Sequence, residues 1–268
     1  MTALTEELGR CWGDYSRGLL GDLARALPLA HALYSNEVAA LGKLEASNAT
    51  VELAMLDVIV GMMTLTDVDE IRRSGDSLAE MVNDPEARCD DLHRLAGMSG
   101  AVHVAMRTSS LPLAQGRFRA ALEQAQKTVE DSGGNVDMAI VGTLLGCAGL
   151  HLAQTAAKTG EEKLTLDMLD QSDQTAAELG GEFEVLGQYF GPQHALATRC
   201  MCLSELGKAQ ESLNAGRAVN VDHVIPLVGA SLLRVLAEET EKAGDAAEAA
   251  GYRARADALV PPLEDQFK

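Results

Sequence analysis

A glycine followed at helical steps by an aromatic, small residues and an aliphatic constrains this chain more than any other feature. Gly116-Arg117-Phe118-Arg119-Ala120-Ala121-Leu122 leads on to Ala125 and Thr128. Glycine takes the left-handed cap conformation without steric cost, so Gly116 is expected to end one helix. Phe118, Ala121, Leu122 and Ala125 recur every three to four residues and would share one face of the next helix. Ala121 lets two helices approach closely, and Phe118 fills the wedge beside them. One such hairpin cannot bury its own apolar face, whereas stacked neighbours can.

The unit resembles the second helix of a tetratricopeptide hairpin, and weaker copies are read on both sides. A first helix is expected over 2–20, with a break at Gly21-Asp22 and a partner carrying Leu23 to Leu33, kinked at Pro28. Ser47-Asn48 is expected to precede a very apolar helix over 49–65. Thr66-Asp67, with Glu70, reads as the cap of the following helix, which ends at Asn83-Asp84-Pro85. A long helix is expected over 86–115, bent at Pro112, before the turn at Gly116. Ser132-Gly133-Gly134-Asn135 is the clearest loop. Three more hairpins follow, over 136–179, 193–219 and 225–259, and Pro261-Pro262 closes the pattern. The turn glycines at 116, 160, 207 and 244 are spaced 44, 47 and 37 residues apart, longer and less even than a regular 34-residue repeat. The expected fold is all-α: an α-solenoid of about six tetratricopeptide-like hairpins in a right-handed superhelix, one domain over residues 1–268.

Composition narrows the partners. Aromatics are 3% of the 268 residues and apolar residues 47%, which suits close-packed helices better than a β-sandwich. Forty acidic residues stand against 22 basic ones, a formal charge of −18. Such a surface repels phosphate backbones and anionic lipid, so neither nucleic acid nor membrane is an expected partner. The five cysteines sit mostly in apolar helical stretches and read as reduced, buried thiols of a cytoplasmic protein. No basic leader and no run of about 18 uninterrupted apolar residues is present.

Tyr189-Phe190-Gly191-Pro192-Gln193-His194, with Ser204-Glu205-Leu206-Gly207 after it, resembles a signature of certain actinobacterial regulators. In these an Xre-type helix-turn-helix domain precedes a tetratricopeptide-like sensor region. The resemblance is sharpest over 182–259 and looser back to about Val51. It departs in two ways: Gln193-His194 replaces the family's usual Thr-Asn, and residues 1–46 hold a repeat-like hairpin where the DNA-binding domain would be. It therefore implies a stand-alone sensor or interaction module. Locally, Gly191 is expected at positive φ, and Pro192 suits the first turn of the next helix.

Motifs for nucleotide binding, zinc hydrolysis or a serine nucleophile are absent, and no cofactor or metal site is expected. Candidate ligand-binding residues are His93, His103 and Arg107 on one helix, and Tyr189, Gln193, His194 and Arg199 around another. His93 and Arg107 project about 40° apart on a helical wheel, and arginine pairs with carboxylates through two parallel bonds. His93 could instead pair with Asp90, and His151 reads as a buried histidine. The three histidines on different hairpins could meet in space. The expected function is an interaction or sensor module, holding a peptide, a protein partner or a small molecule in a concave groove. A biosynthetic enzyme using that scaffold's cavity is the alternative. A self-associating homodimer built on Trp12, Tyr15 and Leu19 is a third reading.

Overall fold

Local chemistry sets where the helices start. The side chains of Thr2, Asp67, Asp90, Asp137 and Asp245 each accept a hydrogen bond from a backbone N–H in the turn they begin. Each such cap contributes about 1 kcal/mol. Pro112, Pro192 and Pro226 sit in first turns, where the missing N–H costs nothing. The computed structural model describes residues 2–64, 67–84 and 88–261. The expectations for Thr66, for a helix start at Glu86, and for Pro85 and Pro262 lie outside them.

Within those residues the chain is mostly helical. Twelve α-helices run in the order α1 (Ala3–Ser16), α2 (Leu20–Glu37), α3 (Lys43–Thr64), α4 (Val68–Asn83), α5 (Asp91–Arg107), α6 (Leu111–Asp131), α7 (Met138–Lys158), α8 (Glu162–Leu179), α9 (Pro192–Glu205), α10 (Ala209–Arg217), α11 (Pro226–Lys242) and α12 (Ala246–Leu259). Each odd-numbered helix packs on the even one after it and on the next odd one. Turns at Gly160, Gly207 and Gly244 take positive φ, as their spacing suggested.

Several local expectations change. Gly116 lies inside α6 and ends nothing. The turn falls earlier, at Thr108-Ser109-Ser110, where Ser109 takes φ 51°. Pro112 therefore begins a helix instead of bending one. Gly21 lies within α2, and the first break is at Gly18. α2 continues through Pro28, and α3 starts at Lys43, ahead of Ser47-Asn48. α3 and α7 are each long and apolar enough to cross a membrane by length and composition. α7 nevertheless packs on α5, α6, α8 and α9, and its composition suits a core helix buried on several sides.

The sequence reading missed a two-stranded antiparallel hairpin, β1 (Phe183–Val185) and β2 (Gln188–Phe190), with Val185 opposite Gln188. Its two-residue turn needs positive φ at both positions, and Leu186 (47°) and Gly187 (69°) supply it. Phe190 is fully buried, its ring pressed on the backbone of α7 at Gly146, where a Cβ would overlap it. Gly191 has φ 165°, extended backbone and not the expected left-handed turn. Glycine is needed there for space: a Cβ would sit 2.5 Å from the Gly181 carbonyl.

The first and last hairpins touch. A Cβ on Gly18, after α1, would stand 3.1 Å from Val260 and 3.4 Å from Pro226. Trp12 and Tyr15 are buried between α1 and the rest of the chain, with Trp12 Nε1 donating to Glu52 at 2.8 Å. They are therefore not a free self-association surface. Of the three residues proposed for that role only Leu19 is exposed, at 38%.

Candidate functional site

The odd-numbered helices turn one face toward a shared cavity of about 150 Å³. α5 contributes His103 and Met106, α7 contributes Cys147 and His151, and α9 contributes His194 and Thr198. On α7 and α9 the paired residues are one turn apart, so each pair shares a face. Tyr15 of α1, Gln188 and Tyr189 of β2, and Leu227 and Ser231 of α11 complete the wall. The β-hairpin thus supplies part of the cavity wall. Tyr189 Oη donates to Ser16 Oγ, and the rings of Tyr15 and Tyr189 lie 6.3 Å apart, which ties the hairpin to α1.

Three histidines dominate this wall. The imidazoles of His103 and His151 stack, with centroids 4.2 Å apart and planes 13° apart. Protein packs around them, and hydration of a charged ring is lost. Burial pushes His103 down to about 3, helped by the cationic Arg107 and Lys158 nearby. Burial likewise lowers His194 to about 4, and lowers His151, with repulsion from His103 and His194 added. All three are neutral at physiological pH. None has a carboxylate partner among the described residues. His151 Nδ1 is buried without a hydrogen-bond partner among the described residues. A buried, unsatisfied ring nitrogen carries a desolvation cost of roughly 1–3 kcal/mol unless something bonds to it.

Cys147 is not poised as a nucleophile. Burial pushes its thiol up to about 12, and it donates to Gln188 Oε1 at 3.2 Å, an oxygen that also accepts from Ser99 at 3.0 Å. This bonding fixes the Gln188 amide in the wall. Among the described residues no group of three His, Cys, Asp or Glu is arranged to hold a metal ion.

The residues expected from the sequence separate into two sets. His103, His194 and Tyr189 line the cavity, joined by His151, which the sequence had placed in a plain core. His93 does not line it. Its Nδ1 bonds Asp90 at 2.8 Å and its Nε2 bonds Glu52 at 3.3 Å, so it links α5 to α3. Arg199 points the other way, to Asp170 (2.6 Å) and Asp173 (2.7 Å) of α8. Gln193 Oε1 accepts from the Asn220 N–H at 2.7 Å and holds a loop. Arg107 lies outside the cavity, in a neighbouring mouth. Tyr15 and Gln188 were not among the candidate residues, whereas the meeting of three histidines from different hairpins takes in His151.

No protein-family model, curated protein or solved structure matches the chain.

Proposed function

We propose that this protein is a tetratricopeptide-like binding module, related in design to the sensor regions of Xre-type regulators, that holds a small molecule in the cavity of His103, His151 and His194. The single observation that carries the reading is a cavity lined by three neutral imidazoles, one with a buried nitrogen unsatisfied among the described residues. A neutral imidazole offers one donor and one acceptor, so such a wall recognises polar groups without demanding charge. The volume matches a ligand of about one aromatic ring. The β-hairpin and α1 cover the site, which favours a small molecule over an extended peptide in the groove.

A catalytic use of the cavity has weaker support. A histidine titrating near 3 or 4 is a poor general base at neutral pH and carries no proton to give as an acid. The Cys147 thiol, held protonated, is a poor nucleophile. We take the role to be regulatory, with occupancy stabilising the contact between the first and last hairpins.

The test uses the full chain and Ser231→Phe, which places a ring where α11 faces the cavity. Wild-type protein is incubated with the small-molecule fraction of a cell extract and measured by native mass spectrometry and thermal shift. A bound mass of a few hundred daltons at most, absent in Ser231→Phe, is expected. Ligand at about 100 times its Kd adds roughly 2.7 kcal/mol, which raises the melting temperature by several degrees. Equal behaviour of both proteins would refute the proposal.

A further inference from the structure

The inner cavity opens into a larger mouth of about 430 Å³; Met106, Gln154, Met201 and Ser231 line both. Among the described residues no Asp, Glu, Lys or Arg lines the inner cavity, whereas Arg107 and Lys158 stand in the mouth. Resting on the small-molecule reading above, we propose that the ligand is a ring-sized organic carboxylate. Its ring lies among the histidines and its carboxylate is held by Arg107 and Lys158.

Three independent features converge on this. First, among the described residues the two cations form no ion pair. The other cations that matter here hold carboxylates: Lys242 at the far rim bonds Glu239 at 2.7 Å, and Arg199 bonds two aspartates. Among the described residues Arg107 donates to the Met62 carbonyl, at 3.0 Å. The Lys158 amine lies 3.5 Å from the Met106 sulfur, and neither cation has an ion-pair partner among the described residues. In a chain of 40 acidic and 22 basic residues, two adjacent cations that form no ion pair, with the nearby charge of Glu205 only partly offsetting their repulsion, leave room for an anion. Crowding is visible in the lysine itself: burial, and then the charge of Arg107, lower its pKa.

Second, the inner wall is neutral, so an ionised group placed there would lose its hydration without compensation. The charge of a bound anion belongs in the mouth, one residue outward. Third, the stacked His103–His151 pair lines the inner cavity, and aromatic side chains suit contact with a flat ring. Glu205 and Glu238 also line the mouth. They keep its net charge small and suit a single negative charge better than a phosphate dianion.

The experiment is calorimetric titration of the full chain with benzoate, 4-hydroxybenzoate and indole-3-carboxylate, each beside its neutral amide. At least one acid is expected to bind about tenfold or more tightly than its amide, with a preference that shrinks as salt rises. Lys158→Met should erase the preference and leave the amide's affinity unchanged. Removing this lysine relieves repulsion, so the variant should melt no lower than wild type. Arg107→Met is the second variant and should act in the same direction. Acid and amide binding equally, with both lost in Ser231→Phe, would overturn the carboxylate assignment and leave the cavity reading standing. No saturable binding of any acid would overturn the ring-carboxylate assignment. Absence of any bound mass in the extract experiment would remove the cavity reading as well.

Discussion

Raising the pH from 6.5 to 9 should weaken this protein by disengaging His93. Burial alone would push the imidazole down, but hydrogen bonds to Asp90 and Glu52 outweigh it and raise the pKa to about 9. A ring whose folded pKa stands above its unfolded value of about 6.5 contributes stability that is complete below pH 6.5 and lost as pH rises through 9. At about 1.36 kcal/mol per pH unit, the displacement corresponds to about 3 kcal/mol. Seen from Asp90, lowered from 3.8 to about 2, the same contact is worth somewhat less. That carboxylate is 40% exposed and screened by solvent, so about 2 kcal/mol is the magnitude to expect. The assay is urea unfolding at pH 6.5, 7.5, 8.5 and 9 for wild type and His93→Gln. Buried thiols such as Cys11, raised to about 11, also cost stability at alkaline pH, but equally in both proteins. The difference between the two should therefore shrink by about 2 kcal/mol across the range. Parallel curves from pH 6.5 to 9 would refute the reasoning.

Three further outcomes follow from the same contacts. Gly187→Ala places a side chain at φ 69° and against the Trp12 ring; it should cost about 2–3 kcal/mol in calorimetric unfolding and abolish cavity binding, and a wild-type melting temperature would contradict the hairpin's seating. The five buried, unpaired cysteines should resist a disulfide reagent at pH 7 until urea unfolds the chain, with Cys147 held protonated; labelling of native Cys147 within minutes would contradict its burial. Arg199→Ala removes two ion pairs between α8 and α9 and should cost about 1 kcal/mol, more at low salt than high, while leaving affinity for the carboxylate probes unchanged; a drop in that affinity would place Arg199 at the ligand after all.

Much of the helical pattern was legible because it is local. Periodic apolar residues, cap aspartates and glycines at turns act within a few residues, and the last four helices start and end within two residues of where these signals put them. The misplacements have physical causes. Gly116 is a tolerated helix interior glycine, since nothing packs within 4 Å of where its Cβ would be. The turn actually used, Thr108 to Ser110, has no glycine and relies on Ser109 accepting a left-handed conformation. Leu186-Gly187 was passed over because a three-residue strand is too short to show alternation.

By itself the sequence determined a mostly helical chain of hairpins, an acidic surface, and histidines on several separate helices. Only the tertiary structure decided which histidines meet. His103, His151 and His194 are brought together across 91 residues because α5, α7 and α9 pack side by side. His93, as polar and as promising in the sequence, is consumed by Asp90 and Glu52. Tyr15 reaches the same cavity only because α1 folds back over the hairpin. Helical periodicity assigns a side chain to a face of its own helix. What that face meets depends on contacts between residues far apart in the chain, which no local pattern encodes.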